Sequence, residues 1–362
     1  MKKTRVKLGR NSYDICIGPG SLTQTGRLLK ELGFTDKLVI ITDPEVKGLY
    51  GNALSQGLTV EGFKVGVLEV PEGEESKSLE TAGILYNELG NFHAERSTPI
   101  LALGGGVIGD LSGFVAATYM RGVPLIQLPT TLLAQVDSSI GGKVAVDHGR
   151  VKNKIGAFYQ PRLVISDITT LESLPAREIS EGLAEVIKYA VIRDKGFFSY
   201  LEKNLEQIRL LDERLLGEVV FRSARIKAEI VQKDELDLGI RHILNYGHTV
   251  GHALESVSDF KVRHGEAVAL GMLAAGRISN KLGILHGDEL DRIEKVIQRA
   301  GLPTKVPNLE VKRLVQAMEF DKKMVRGKVK FILLRSLGSA FISNEVIPTL
   351  IEQVLVEWIE KA

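Results

Sequence analysis

Residues Pro99–Asp110 read PILALGGGVIGD, an apolar run that passes directly into three consecutive glycines. The apolar residues predict a buried strand, and the following stretch, Leu111–Met120, is helical in composition. A strand, a glycine turn and a helix N-terminus together offer backbone N–H groups and the positive end of a helix dipole to a pyrophosphate. The stretch therefore predicts a phosphate-binding turn in an α/β fold, although its glycine spacing is not GxGxxG and tight packing alone would also explain the glycines.

Further apolar runs extend this pattern on both sides. Strands that are buried on both faces of a parallel sheet read as continuous apolar segments, and four such runs are Lys37–Thr42, Lys64–Val70, Leu125–Leu128 and Arg162–Ser166. Apolar residues recur at helical spacing in Glu178–Tyr189, Phe197–Leu205, Arg214–Val231, Arg241–Ser256 and Glu266–Leu282. We therefore expect an α/β protein with an N-terminal Rossmann-like parallel-sheet domain over residues 1–174 and a mostly α-helical domain over residues 175–362. Residues 327–342 additionally suggest a short hairpin.

Composition excludes several classes of protein. The 362 residues carry a formal net charge of +2, too balanced for a typical nucleic-acid-binding protein. The single cysteine, Cys16, cannot form an internal disulfide. The longest apolar stretch, Ala267–Gly276, is about half the length of a membrane span. We expect a soluble cytoplasmic protein that binds neither nucleic acid nor membrane.

An acidic residue follows the predicted strand Lys37–Thr42. Asp43 occupies the place where dinucleotide-binding folds hold a ribose through its hydroxyl groups. A turn acid before Pro44 is the simpler interpretation when Asp43 is considered alone. Together with the glycine turn, Asp43 suggests a dinucleotide, and the absence of a nearby arginine favours NAD over NADP.

Histidines cluster in the helical half. Four of the seven lie between His242 and His264, and His248 and His252 are one helical turn apart in the segment HTVGH. Neutral imidazoles at this spacing are typical ligands of a divalent metal. HTVGH lacks the glutamate of HExxH metalloproteases, so a carboxylate must come from elsewhere. Glu185 is a candidate, although its spacing from Lys188 is also that of a solvated ion pair.

These stretches resemble the 3-dehydroquinate synthase family, the sugar-phosphate cyclases of the shikimate pathway. The resemblance covers nearly the whole chain in six ordered blocks, at Leu101–Val123, Leu128–Asp147, Lys152–Pro161, Ala184–Tyr189, Arg241–Glu255 and Arg263–Met272. It implies an NAD-dependent homodimer with a divalent zinc or cobalt ion and an active site in the cleft between two domains. It also implies a lyase of chorismate and aromatic amino acid biosynthesis, which converts 3-deoxy-D-arabino-heptulosonate 7-phosphate to 3-dehydroquinate and phosphate. The implied course is transient oxidation by NAD, phosphate elimination, re-reduction and aldol closure.

The resemblance also implies roles for individual residues. The metal ligands would be Glu185, His248 and His264. Residues implied for NAD binding are Asp43, Glu74, Lys77, Gly105, Gly106, Asp110, Thr130, Thr131, Lys152 and Ser173, where the family often has threonine at the last position. Residues implied for the substrate are Asp137, Lys143, Asn153, Lys188, Lys227, Arg241, Asn245, His252 and one of Lys322 and Lys323, with Lys323 preferred and Arg121 reaching across the dimer.

Simpler interpretations exist for several of these residues when each is considered alone. Asp137 could cap a helix, Lys143 could be a surface amine, and Arg121 could be a turn charge. Arg241 could pair at the surface with Asp237 or Glu235. If Arg241 instead lies on one helical face with His248, two turns away, it can meet a substrate carboxylate together with Lys227.

Two other functions are compatible with the same motifs. A metal-dependent polyol dehydrogenase of the glycerol dehydrogenase type would share the glycine turn and histidine ligands, but it would accumulate NADH. A non-catalytic NAD sensor would use the metal only as a structural element. The cations and amides at Lys143, Asn153, Lys227 and Arg241 favour a substrate that carries phosphate and carboxylate groups.

Overall fold

The computed structural model describes residues 1–149, 151–259, 261–306, 310–321 and 329–360. These residues form two compact units, of which the first contains Met1–Leu174 together with Glu213–Leu236. The second contains Pro175–Asp212 and the described part of Asp237–Ala362. The observed units differ from the expected continuous ranges in residues 213–236, which lie within the sheet-containing unit. That residues 1–174 bind NAD and that residues 175–362 bind the metal and the substrate remains a prediction.

The first unit is built on a seven-stranded sheet with the order β1-β2-β9-β6-β5-β3-β4. Its strands are β1 (Lys2–Val6), β2 (Tyr13–Gly18), β3 (Lys37–Thr42), β4 (Lys64–Glu69), β5 (Ile100–Gly104), β6 (Leu125–Pro129) and β9 (Leu163–Asp167). All neighbouring strands pair in parallel except β1, which runs antiparallel to β2. The predicted parallel sheet is therefore confirmed, and the antiparallel edge strand β1 was not predicted.

Strand β3 shows why the apolar runs form buried strands. Val39 and Ile41 belong to one core cluster, whereas Leu38 and Ile40 belong to another. Alternate side chains of a strand point to opposite faces of its sheet, so both faces are covered. The helices of this unit are α1 (Thr25–Glu31), α2 (Pro44–Val46), α3 (Asn52–Val60), α4 (Leu79–Asn91), α5 (Gly106–Thr118) and α8 (Glu213–Lys233). Helices α4 and α5 contribute to the first cluster, and α1 and α3 contribute to the second.

A two-stranded antiparallel hairpin, β7 (Lys143–His148) with β8 (Val151–Phe158), lies outside the main sheet. Strand β7 packs closely on α5, because a Cβ added at Gly113 would lie 2.3 Å from Cγ1 of Val144. Nearly all of β8 is exposed. The hairpin was not predicted, although it carries Lys143, Lys152 and Asn153.

The second unit is mostly helical, as expected. Its helices are α6 (Ala176–Arg193), α7 (Lys195–Arg209), α9 (His248–Val257), α10 (His264–Lys281), α11 (Gly287–Arg299), α12 (Val311–Asp321) and α13 (Pro348–Glu360). Strands β10 (Val329–Ser336) and β11 (Ser339–Val346) confirm the suggested hairpin for its described residues, with Gly338 at a φ of +84° in the turn. In the described part of the chain, no helix combines the length and apolar character that a membrane crossing requires.

The prediction of one continuous helix over Arg241–Ser256 is wrong. Residues Ile240–Asn245 form a 3-10 helix, and α9 begins only at His248. Between them Gly247 has a φ of +82°, in the left-handed region that interrupts an α-helix. Arg241 and His248 are therefore not related by helical periodicity, and their expected common face does not exist.

Helices α9 and α10 approach each other closely at glycines. A Cβ added at Gly271 would lie 1.8 Å from the carbonyl oxygen of Gly247, a backbone atom that cannot move away alone. We expect Gly271→Ala to lower the free energy of unfolding by about 1–3 kcal/mol, the usual cost of overpacking, measured by urea denaturation.

The matched control is Gly83→Ala in α4, where an added Cβ meets nothing within 4 Å. Because alanine restricts the unfolded chain, this variant should be more stable by about 0.5–1 kcal/mol. Unchanged stability in Gly271→Ala would contradict the close approach of the two helices.

Candidate active site

The glycine turn has the predicted strand–turn–helix form. Strand β5 ends at Gly104, Gly105 is extended, and α5 begins at Gly106. No side chain among the described residues caps the N-terminus of α5. An added Cβ at Gly105 would lie 3.2 Å from Thr131, so glycine allows this close approach. The first-turn N–H groups of α5 are thus available to an anion such as a pyrophosphate.

A buried polar network lies in the same unit. Lys77 is 5% exposed, and its ammonium lies 2.7 Å from Oδ2 of Asp110 and also contacts Oδ1 of Asn153. Burial raises the pKa of Asp110, and the Lys77 ammonium partly offsets this effect. The structure thus joins two residues implied for NAD with one implied for the substrate.

The β7–β8 hairpin is attached to the loop that precedes α4. Lys152 lies 3.4 Å from Glu74, and the backbone N–H of Asp147 donates to the carbonyl of Lys77 at 2.8 Å. Asn153 has a φ of +55°, and its N–H donates to Oδ1 of Asp147 at 2.7 Å. Sequence analysis did not single out Asp147, whose carboxylate stabilises the left-handed backbone of Asn153 through this hydrogen bond.

Other residues implied for NAD already have internal contacts. One oxygen of Asp43 accepts from the N–H of Val46 at 2.8 Å, so Asp43 acts as the turn acid of the simpler interpretation. The Thr131 hydroxyl accepts from the N–H of Ala134 at 3.2 Å. The Ser173 hydroxyl contacts Tyr50 at 2.8 Å. Thr130 is buried and donates its N–H to Gly104. Contacts of these residues with NAD remain predictions.

Lys227 on α8 meets Asp137. Its ammonium lies 2.6 Å from the Asp137 carboxylate and 2.7 Å from the Asp137 carbonyl oxygen. Lys227 therefore has an acidic partner within the same unit. Lys143 begins β7 and is exposed, and Arg121 is exposed with a φ of +65°. Lys322 and Lys323 lie outside the described residues.

The helical unit brings together Glu185, His248 and His264, each offering one ligand atom within 4.8 Å of the others. Oε1 of Glu185 lies 3.6 Å from Nε2 of His248 and 3.7 Å from Nε2 of His264. The three side chains come from α6, α9 and α10. Two imidazole nitrogens and a carboxylate oxygen suit a divalent transition metal, so the residues fit such an ion.

The outer nitrogens of both imidazoles also have partners. Nδ1 of His248 lies 3.2 Å from the carbonyl oxygen of Tyr246. Nδ1 of His264 lies 3.3 Å from Oε1 of Glu255. When a ring is neutral, such an acceptor holds its proton on Nδ1 and leaves the Nε2 lone pair for a metal.

Burial and charge set the protonation of the two histidines. Burial lowers the pKa of His248 well below its usual range, and the Lys188 ammonium lowers it further. Burial also lowers the pKa of His264, but hydrogen bonds to Glu185 and Glu255 outweigh this and raise it to about 10. His248 is therefore neutral, whereas His264 must release a proton before it can ligate a cation.

Some of the other residues that sequence analysis singled out lie near this cluster, and others do not. Lys188 is 1% exposed and contacts Oε2 of Glu185, so the solvated-pair interpretation is wrong. The ring of His252 lies 5.3 Å from that of His248. Asn245 is half-buried at the end of the 3-10 helix. His242 contacts Asp237 at 2.8 Å and does not join the cluster.

Arg241 is 2% exposed, so a solvated surface position does not fit the structure. A buried guanidinium needs anionic or hydrogen-bonding partners. Arg241 is thus a buried cation rather than a solvated one.

An ionic clamp beside the cluster was also missed by sequence analysis. Arg263 lies 3.0 Å from Glu181, and Arg177 lies 2.9 Å from Glu266. A Cβ added at Gly265 would lie 2.5 Å from the Cα of Glu181. These contacts hold the start of α10, and therefore His264, against α6.

Solved structures identify the class of protein first. The chain is similar to 2-epi-5-epi-valiolone synthase from Streptomyces hygroscopicus subsp. jinggangensis 5008 with NAD+ and Zn2+ bound, with a TM-score of 0.90, 27% identity and 98% and 99% of the two chains covered. It is similar to 2-deoxy-scyllo-inosose synthase complexed with carbaglucose-6-phosphate, NAD+ and Co2+, with a TM-score of 0.89, 26% identity and 99% and 100% covered. The fold is that of the sugar-phosphate cyclases.

Sequence relatives define the particular family. Two protein-family models match the chain. The model for the N-terminal part of 3-dehydroquinate synthase matches residues 67–181, and the model for its C-terminal part matches residues 182–324. The 3-dehydroquinate synthase of Desulforamulus reducens is 51% identical, with 96% of this chain and 97% of the relative covered. That of Dehalococcoides mccartyi is 49% identical, with 99% of each covered. The chain belongs to the 3-dehydroquinate synthase family and is therefore an enzyme of the lyase class.

The geometry of the cluster predicts different effects for two neighbouring histidines. We expect His248→Ala to lose a bound divalent ion and nearly all activity while keeping its fold, because Nε2 of His248 faces Glu185. His252→Ala should keep the ion. Metal content after dialysis, measured by atomic absorption, and circular dichroism would test both. Stoichiometric metal in His248→Ala would contradict the ligand assignment.

Proposed function

We propose that the chain converts 3-deoxy-D-arabino-heptulosonate 7-phosphate to 3-dehydroquinate and phosphate, using NAD and one zinc or cobalt ion. The observation that carries this proposal is the cluster of Glu185, His248 and His264, with the buried Lys188 beside it. Two imidazoles and one carboxylate leave further coordination positions for substrate oxygens. A purely structural zinc site would usually fill all four positions with protein ligands.

Glu185, His248 and His264 would hold the metal, and the α5 turn at Gly105 and Gly106 would hold the NAD pyrophosphate. When bound, NAD supplies the reversible oxidation of a carbinol, and the metal supplies Lewis-acid stabilisation of the oxygen on that carbon. The nucleotide would be oriented by the other residues implied for NAD binding, which are Asp43, Glu74, Lys77, Asp110, Thr130, Thr131, Lys152 and Ser173. The contact of Lys77 with Asp110 keeps both charged groups fixed within the unit.

The chain's own cations and amides would bind the substrate. Lys143, Asn153, Asn245 and His252 would hold the phosphate, which can then remove the adjacent proton as an intramolecular base. Lys188 would donate a hydrogen bond to a substrate oxygen near the metal ligands. Lys227 and Arg241 would bind the carboxylate, and Asp137 would hold the Lys227 ammonium in place at 2.6 Å. Each of these groups positions the substrate or stabilises charge.

Three further assignments belong to the same proposal. Arg121 would reach the substrate of a partner subunit in a homodimer, and its exposure is compatible with that role. Lys323 would complete the substrate site. The enzyme would act in the cytoplasm, within the shikimate pathway.

A polyol dehydrogenase is the alternative function. The chain shares its fold with glycerol dehydrogenase from Schizosaccharomyces pombe, with a TM-score of 0.68, but only 16% of residues are identical. That similarity supports the fold alone.

The two functions differ in what happens to NAD. A synthase oxidises and then reduces the same carbon, so catalytic amounts of NAD should sustain release of phosphate without net NADH. A coupled phosphate assay on the metal-loaded protein, with NADH absorbance followed in parallel, measures both. Stoichiometric NADH formation, or no phosphate release, would favour the dehydrogenase or the sensor.

The second test concerns the substrate carboxylate. Replacing Arg241 by methionine should reduce kcat/KM for the heptulosonate phosphate by an amount equivalent to about 2–4 kcal/mol, the range for truncating one partner of a buried charge pair. The control is Arg225→Met, because Arg225 is an exposed arginine that lies 3.8 Å from Glu229. A loss below about tenfold, or roughly 1.4 kcal/mol, in Arg241→Met would contradict the carboxylate assignment.

A further inference from the structure

The two histidines of the metal cluster are held in different ways. The outer nitrogen of His248 faces a backbone carbonyl, that of Tyr246, which needs no particular side chain. The outer nitrogen of His264 faces the Glu255 side chain at 3.3 Å. The His264 side chain is 35% exposed, compared with 11% for His248. Packing therefore constrains His264 less, and a side-chain partner has more influence on its orientation.

We propose that Glu255 is a positioning residue that orients His264 for metal binding, an inference that rests on the proposed metal site. A carboxylate can only accept hydrogen bonds, so Glu255 places the proton of neutral His264 on Nδ1. Nε2, which then carries the lone pair, lies 3.7 Å from Oε1 of Glu185, so the two atoms can share one ion. Glu255 thus acts through His264 and does not itself reach the metal.

The position of Glu255 on its helix supports this role. His248, His252 and Glu255 occupy positions i, i+4 and i+7 of α9, which lie on one helical face. His264 begins the next helix, α10, and its ring lies 5.5 Å from that of His248 and 6.5 Å from that of His252. One face of α9 therefore supplies both a metal ligand and the group that orients a second ligand.

The test is direct titration of the metal-free full-length protein with Co2+, followed by visible absorption, and with Zn2+ in competition with a chelator. Glu255→Gln keeps the size of the side chain but can donate from its amide, so it no longer enforces the Nδ1 proton. We expect Glu255→Gln to bind Co2+ and Zn2+ about 10- to 100-fold more weakly, the usual effect of losing such an outer partner. Its cobalt spectrum should also change.

The matched control is Asp259→Asn, which removes one negative charge four residues further along the chain. Its metal affinity should stay within about twofold of the parent protein. Equal weakening in both variants would show that net charge, rather than orientation of His264, is responsible, and would overturn the inference. Circular dichroism and thermal melting of each variant show whether it is folded.

A double-mutant cycle tests whether Glu255 affects metal affinity only through His264. In a His264→Ala background, Glu255→Gln should cause no further loss of cobalt affinity, whereas an equal further loss would overturn the inference.

Should Glu255→Gln fail to fold, Glu255→Asp keeps the charge and shortens the reach of the carboxylate. It should also weaken binding, and parental affinity would overturn the inference.

The metal titrations distinguish failure of this inference from failure of the proposed function. If the parent protein binds no divalent metal, the proposed metal site itself is wrong. If the parent and the control bind metal and Glu255→Gln binds it equally well, only the positioning role of Glu255 is wrong.

Discussion

The buried carboxylate of Glu185 is the group on which the helical unit's site depends. It is 0% exposed, and the nitrogens of His248 and His264 and the ammonium of Lys188 surround it. A buried charge is strongly destabilising unless it is paired and hydrogen-bonded. The fold must therefore bring cationic or ligating groups from several helices to one point. The same arrangement that stabilises the carboxylate within the protein also presents ligand atoms suited to a divalent ion.

Close helix packing makes this convergence possible, and glycine makes the packing possible. Gly271 allows α10 to approach the backbone of Gly247, and Gly265 allows α10 to approach Glu181 on α6. His248 and His264 each adjoin one of these glycines in sequence. The segments that hold the candidate ligands are thus the segments where backbones come closest, so packing and metal geometry constrain the same positions.

Sequence analysis predicted the parallel sheet well, because strands such as β3 are continuously apolar and buried on both faces. It missed the β7–β8 hairpin, because β8 is exposed and carries no burial pattern. It also missed the break at Gly247, because apolar periodicity does not show where a glycine adopts a positive φ. The contact between Lys227 and Asp137 joins residues 90 positions apart, and no local pattern encodes it. Glu255 could have been noticed from its spacing after His248.

The ligand set itself shows the limit of local spacing. Two histidines at i and i+4 of one helix, His248 and His252, are the obvious pair, but the cluster around Glu185 instead takes His264 from the next helix. A pair within one helix forms whenever that helix forms, whereas a set drawn from α6, α9 and α10 exists only once the three have packed. An ion held by that set binds the folded chain in preference to the unfolded chain, and it therefore stabilises the folded chain by mass action. In this unit the ligand set of a metal centre and the tertiary packing of three helices are consequently one structural requirement.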